Sequence, residues 1–130
     1  MLKLVRRCIG LAVHCLEVMT RPEPIVRSER ERKLLAQEVK GLRLYDYRGC
    51  PFSFNVRRTL HRLNLDIPYC DIRKCQVHHD DLLSKYGRIH VPVLRIDTAD
   101  GVQWLDDSQQ IIQYLNQRFA PAPSAVPLPD

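Results

Sequence analysis

The chain lacks the features that would place it in several broad classes. It contains no run of 18 uncharged apolar residues, which excludes a conventional membrane span. It shows no internal repeat. Its five cysteines, Cys8, Cys15, Cys50, Cys70 and Cys75, form no CxxC pair. That odd, scattered set indicates neither a disulfide scaffold nor a zinc ribbon, and reduced thiols in the cytoplasm are the expectation. The body of the chain also lacks an excess of one charge. Residues 1–41 hold nine Lys/Arg against five Glu, and residues 42–130 hold eleven basic against ten acidic residues. Of the net +5, only +1 falls on the body. A nucleic-acid surface needs basic residues clustered on the folded domain, and none is visible.

What remains is 130 residues, 45% apolar and 27% charged, enough for one hydrophobic core and one domain. Leu2 to Met19 sorts sharply on a helical wheel. Lys3, Arg6, Arg7, Gly10, His14 and Glu17 share one arc of about 100°, and apolar residues fill the rest. This pattern predicts an amphipathic helix over 1–19, lying in a membrane interface with its basic side toward anionic headgroups. Competing readings are a helix packed on the domain, a cleaved signal peptide and a mitochondrial presequence. Charges interrupt the apolar stretch against the second, and Glu17 and the lack of serine count against the third. Cys8 and Cys15 read as small apolar residues, with palmitoylation as the alternative.

Pro22 and Pro24 break the chain, and Ser28 with Glu31 reads as a capping box opening a charged helix to about Val39. Residues 20–41 therefore read as a linker with a solvated helix. Residues 120–130 carry four prolines without periodicity and read as a flexible tail. Between them the order is βαβαββα: strands over 42–47, 67–71, 92–96 and 102–105, and helices over 51–63, 77–86 and 108–119. A mixed four-stranded α/β sheet with helices on both faces follows.

Cys50 stands where the first strand gives way to a helix, in Gly49-Cys50-Pro51-Phe52-Ser53. Unpaired N–H groups and the positive end of the helix dipole favour a thiolate there. Pro51 takes the helix position that needs no donor. Ser53 falls where its hydroxyl or its backbone N–H can reach the sulfur. A depressed thiol pKa and a nucleophile near neutral pH are the expectation. His78-His79-Asp80-Asp81 reads as a solvated helix start, so no metal site is assigned. Tyr45 and Tyr47 follow strand alternation, and Trp104 reads as core.

Three motifs in order carry a family resemblance: Cys50-Pro51-Phe52-Ser53 after the first strand, Val91-Pro92 before the third, and Asp107-Ser108 opening the last helix. Over about Leu42 to Phe119 the chain resembles a glutaredoxin, and the closely related N-terminal domain of cysteine-type glutathione transferases. The resemblance implies the thioredoxin fold, with 42–119 as the domain and glutathione as co-substrate. It implies a cis Pro92, with the Val91 backbone pairing with the cysteinyl unit of glutathione. Asp107 and Ser108 would hold the γ-glutamyl end, and Arg88 the glycine carboxylate. Phe52 and Arg48 join the glutathione contacts, Arg48 standing one place after the usual lysine position, which here is Tyr47.

Ser53 replaces the second cysteine of dithiol relatives, so the implied activity is monothiol exchange through Cys50 on glutathionylated proteins or small mixed disulfides. Cys70 and Cys75 are candidate resolving thiols. Two alternatives stay open: a [2Fe–2S] carrier bridged by glutathione, disfavoured by Pro51 where cluster-binding relatives have glycine, and a non-catalytic glutathione-binding module. Dehydroascorbate reductases and intracellular chloride channel proteins share the cysteine motif but carry a C-terminal helical domain, against eleven residues after Phe119 here. The expectation is a monomer in the cytoplasm, peripheral on the cytoplasmic face of a membrane through residues 2–19.

Overall fold

Strand β1 (Leu42–Asp46) is covered on both faces, with only Arg43 partly exposed, as befits a strand inside the sheet rather than at an edge. The computed structural model describes residues 1–121. After β1 come a 3-10 turn (Pro51–Ser53), α3 (Phe54–Arg62), β2 (Tyr69–Asp71), α4 (Gln76–Tyr86), β3 (Val93–Thr98), β4 (Gly101–Leu105) and α5 (Ser108–Phe119). Before it lie α1 (Leu2–Met19) and α2 (Glu29–Glu38). The strand order is β2-β1-β3-β4. β2 runs parallel to β1, while β3 is antiparallel to both β1 and β4. This is the thioredoxin fold with an N-terminal helical extension.

Alternation along the strands divides the core. Leu42, Leu44, Leu94 and Ile96 pack on one face against Val56 and Leu60 of α3 and Ile111 and Leu115 of α5. Tyr45, Val93, Cys70 and Ile72 pack on the other face under Leu82 of α4. Gly87, at φ +69°, ends α4 in the left-handed conformation that lacks a penalty only for glycine. β2 is shorter than the strand expected from Ile67, because Pro68 has no N–H for the ladder. The helix after Cys50 opens as a 3-10 turn before becoming α3.

The segment expected as a linker straps onto the domain. The Ser28 hydroxyl accepts from the Glu31 N–H at 3.2 Å and caps α2. The Ile25 N–H donates to the Arg62 carbonyl, and Ile25, Leu35 and Val39 pack against the larger core cluster. Buried Arg27 donates to the Leu63 carbonyl (2.9 and 3.2 Å) and the Phe119 carbonyl (2.9 Å). Burial lowers its guanidinium pKa. The tail expected over 120–130 falls, from 122 onward, outside the described residues.

Helix α1 spans the residues the wheel picked out, but it docks by its polar side. Gly10, Val13, His14 and Glu17, at i, i+3, i+4 and i+7, are the covered positions, with Glu17 buried. Leu4, Val5, Ile9, Leu11, Leu16 and Val18 are exposed. Each such side chain would contribute about 1.5–3 kcal/mol if fully buried, so the docked arrangement forgoes most of the helix's hydrophobic stabilisation.

Candidate functional site

β1 delivers the chain into the turn Tyr47–Cys50, closed by the Cys50 N–H donating to the Tyr47 carbonyl at 3.1 Å. Gly49 takes the third place with φ +77°. Cys50 precedes the 3-10 turn in an extended conformation, and Pro51 occupies its first position. Both Cys50 and Ser53 have no exposed surface, and the Ser53 Oγ finds no hydrogen-bond partner among the described residues. Burial first, then the neighbouring Cys50 thiol, push the Tyr47 pKa up. Arg73 lies 3.6 Å over the centre of the Tyr47 ring.

The Cys50 carbonyl is anchored from behind. Arg57 of α3 donates to it from Nη2 at 2.9 Å, to Asp46 at 2.8 Å through Nη1, and to both Glu17 oxygens at 2.8 and 2.9 Å through Nε. The side chains of Asp46 and Glu17 are each 5% exposed and that of Arg57 11%. Burial pushes the Asp46 carboxyl up to about 6, a shift that Arg57 only partly reverses. Burial also works against the Arg57 charge, but its two carboxylate partners outweigh it and raise its pKa. A single guanidinium thus joins the N-terminal helix, the end of β1 and the cysteine loop.

The other expected residues gather at the same end of the sheet. Tyr45 pairs with Val93, so the Val91–Pro92 peptide, which is cis, lies where β1 runs into the cysteine turn. Leu105 pairs with Leu94, which brings Asp107 and Ser108 to that end. The Asp107 carboxylate caps α5, accepting from the N–H groups of Gln109 (2.8 Å) and Gln110 (3.1 Å). His90 Nε2 lies 3.2 Å from Asp106 Oδ2 and ties the cis-proline loop to the start of α5. Arg48, Phe52 and Arg88 stand exposed around this cluster. Cys70 is buried under α4, and burial pushes its thiol up, while Cys75 is the N-cap residue of α4. Among the described residues no group of three or more His, Cys, Asp or Glu could hold a metal ion.

Sequence reasoning passed over Arg57, Asp46 and His90, and gave Glu17 and Tyr47 no part in the site. A signal was available for the first two. Asp46 ends an apolar strand and Arg57 lies between Val56 and Leu60 on an amphipathic helix, positions where a charge is tolerated only with a partner.

No curated protein matches the chain. A similar solved structure is the maleylacetoacetate isomerase of Anaeromyxobacter dehalogenans 2CP-1, with dicarboxyethyl glutathione and citrate in its active site. It is 25% identical, with a TM-score of 0.48, over 65% of this chain and 39% of that one. The chain thus spans well under half the length of that structure. Residues 44–123 match the family model for the glutathione S-transferase N-terminal domain. Of the two relatives suggested by the cysteine motif the match falls on the transferase domain rather than on the glutaredoxins, and the chain belongs to the glutathione S-transferase N-terminal domain family.

Proposed function

We propose that the chain is a glutathione-dependent monothiol oxidoreductase that removes glutathione from mixed disulfides through Cys50. One observation carries this reading. Cys50 opens the helical segment at the sheet end that also holds the cis Val91–Pro92 peptide and the Asp107 cap, in a chain of the glutathione transferase N-terminal family. The Cys50 thiolate attacks the glutathionyl sulfur, the mixed disulfide breaks, and the departing thiolate takes up a proton. A second glutathione thiolate then attacks the glutathionyl sulfur on Cys50. Glutathione disulfide leaves and Cys50 is restored, so each mixed disulfide consumes one glutathione thiol and its own glutathionyl group departs in the glutathione disulfide. Val91 would pair with the cysteinyl backbone, Asp107 and Ser108 would hold the γ-glutamyl end, and exposed Arg88 the glycine carboxylate.

The complete burial of Cys50 favours a second reading, a glutathione-binding module without turnover. A cluster bridged between protomers has less support, since its protein ligand would be this same covered sulfur. The test is glutathione-dependent reduction of a small glutathione mixed disulfide by wild type and Cys50→Ser. Turnover in the wild type that is lost in the variant supports exchange. A folded wild type that binds glutathione without turnover replaces exchange with the binding module.

A further inference from the structure

We propose that α1 is a docking surface for an anionic lipid bilayer, and that the cleft between its first two turns and Arg73 receives the lipid phosphate.

The first observation is the direction in which α1 is docked. Its polar stripe is already used: Glu17 is paired with Arg57, and Gly10 lies against the turn at Gly49. The helix cannot roll its apolar side onto the domain without breaking both contacts. Leu2, Leu4, Val5, Ile9, Leu11, Leu16 and Val18 therefore form a continuous apolar face turned away from the protein, from 47% to 70% exposed. A monomer rarely leaves a face of this kind uncovered. None of the described helices is long and apolar enough to cross a membrane, which leaves insertion parallel to the surface, to the depth of the acyl boundary.

The second observation is charge, and it selects a lipid over a second protein copy. Lys3, Arg6 and Arg7 line a cleft with Arg73, which comes from the loop between β2 and α4, and with Met1 and Leu4. Among the described residues no acidic side chain lines this cleft, and none precedes Glu17 in the sequence. A second α1 paired through its apolar face would offer these charges no counter-charge, since no acidic residue precedes its Glu17. A leaflet bearing phosphates supplies the opposite charge beside its own apolar interior, and long basic side chains at the edge of an apolar face reach headgroups by extending outward. The docked domain then rides on the back of the helix, so bilayer contact and the Glu17–Arg57 contact coexist.

The test is flotation of the full chain with phosphatidylcholine vesicles and with vesicles containing phosphatidylglycerol. The wild type should float with the anionic vesicles at least about tenfold more than with neutral ones. Leu4→Glu with Leu11→Glu, at sites exposed in the folded protein, should abolish flotation while leaving the circular dichroism unchanged. Arg73→Glu should weaken binding to anionic vesicles alone, although it lies outside the helix. Wild type that stays with the soluble fraction overturns the proposal. So does a concentration-dependent dimer in sedimentation that the Leu4→Glu/Leu11→Glu variant dissolves in the absence of vesicle binding. Unchanged binding by Arg73→Glu overturns the phosphate cleft.

Discussion

Gly49 and Gly10 meet backbone to backbone: a methyl group on Gly49 would stand 2.2 Å from the Gly10 carbonyl oxygen. The relationship is one-sided, because a methyl on Gly10 would lie 3.9 Å from the Arg48 carbonyl oxygen, an ordinary contact. Gly10→Ala should therefore be tolerated and should favour α1 by up to about 1 kcal/mol, the helix propensity gained. Gly49→Ala, also strained at φ +77°, should lift α1 from the turn. Hydrogen exchange along 2–19 should rise in Gly49→Ala and stay at the wild-type level or fall in Gly10→Ala. Alkylation of Cys50, followed by peptide mapping, should quicken only in Gly49→Ala.

Arg57 leaves two buried carboxylates without a partner if it is removed. Arg57→Met should cost about 3–5 kcal/mol in urea unfolding. Neutralising the partners as well, with Glu17→Gln and Asp46→Asn, should restore a large part of that loss. If the triple variant is as unstable as Arg57→Met alone, the carboxylates are not the source of the cost.

The raised Asp46 carboxyl gives stability a pH dependence of known sign. Its value of about 6 in the fold exceeds the ordinary 3.8, so between the two the folded protein holds a proton that the unfolded chain has released. The stabilisation from protonated Asp46 is complete below about 3.8 and is lost as pH rises through about 6. Urea midpoints measured across this window should show a falling component that Asp46→Asn removes. An identical slope in the variant would assign the effect elsewhere.

Substitution separates the α5 cap made by Asp107 from the glutathione contact proposed for it. Asp107→Ala should cost about 1 kcal/mol through the lost cap of α5, and should also weaken glutathione binding. Asp107→Asn keeps an acceptor for Gln109 and Gln110 but removes the charge. It should retain the thermal midpoint and still bind glutathione more weakly by calorimetry. Wild-type affinity in Asp107→Asn would remove this carboxylate from the proposed site.

Much of the fold was legible because its signals are local. The wheel over Leu2–Met19 reproduces the observed helix, Asp107 caps where Asp-Ser opens an apolar periodicity, and the order of elements follows from turn residues. The docking direction of α1 was not legible. A wheel separates two faces without saying which one meets the protein, and Glu17 finds Arg57 forty residues away. The one local hint was Gly10, an uncharged residue inside the charged stripe, placed where another backbone comes close. Around Cys50, the positions of Pro92 and Asp107 could be expected from ordered motifs. The anchoring of the Cys50 carbonyl could not, because it depends on three charges brought together only by packing.

The Arg27 guanidinium has a consequence for what counts as one folding unit. Leu63 caps the end of α3 and Phe119 closes α5, so two helix termini, each equivalent to roughly half a negative charge, converge on a single buried cation. The segment recognised as the family domain begins at residue 44, seventeen positions after the residue that neutralises both ends. Excised at that boundary, β1 would lose Leu42 and Arg43, and two helix dipoles would confront each other without their shared counter-ion.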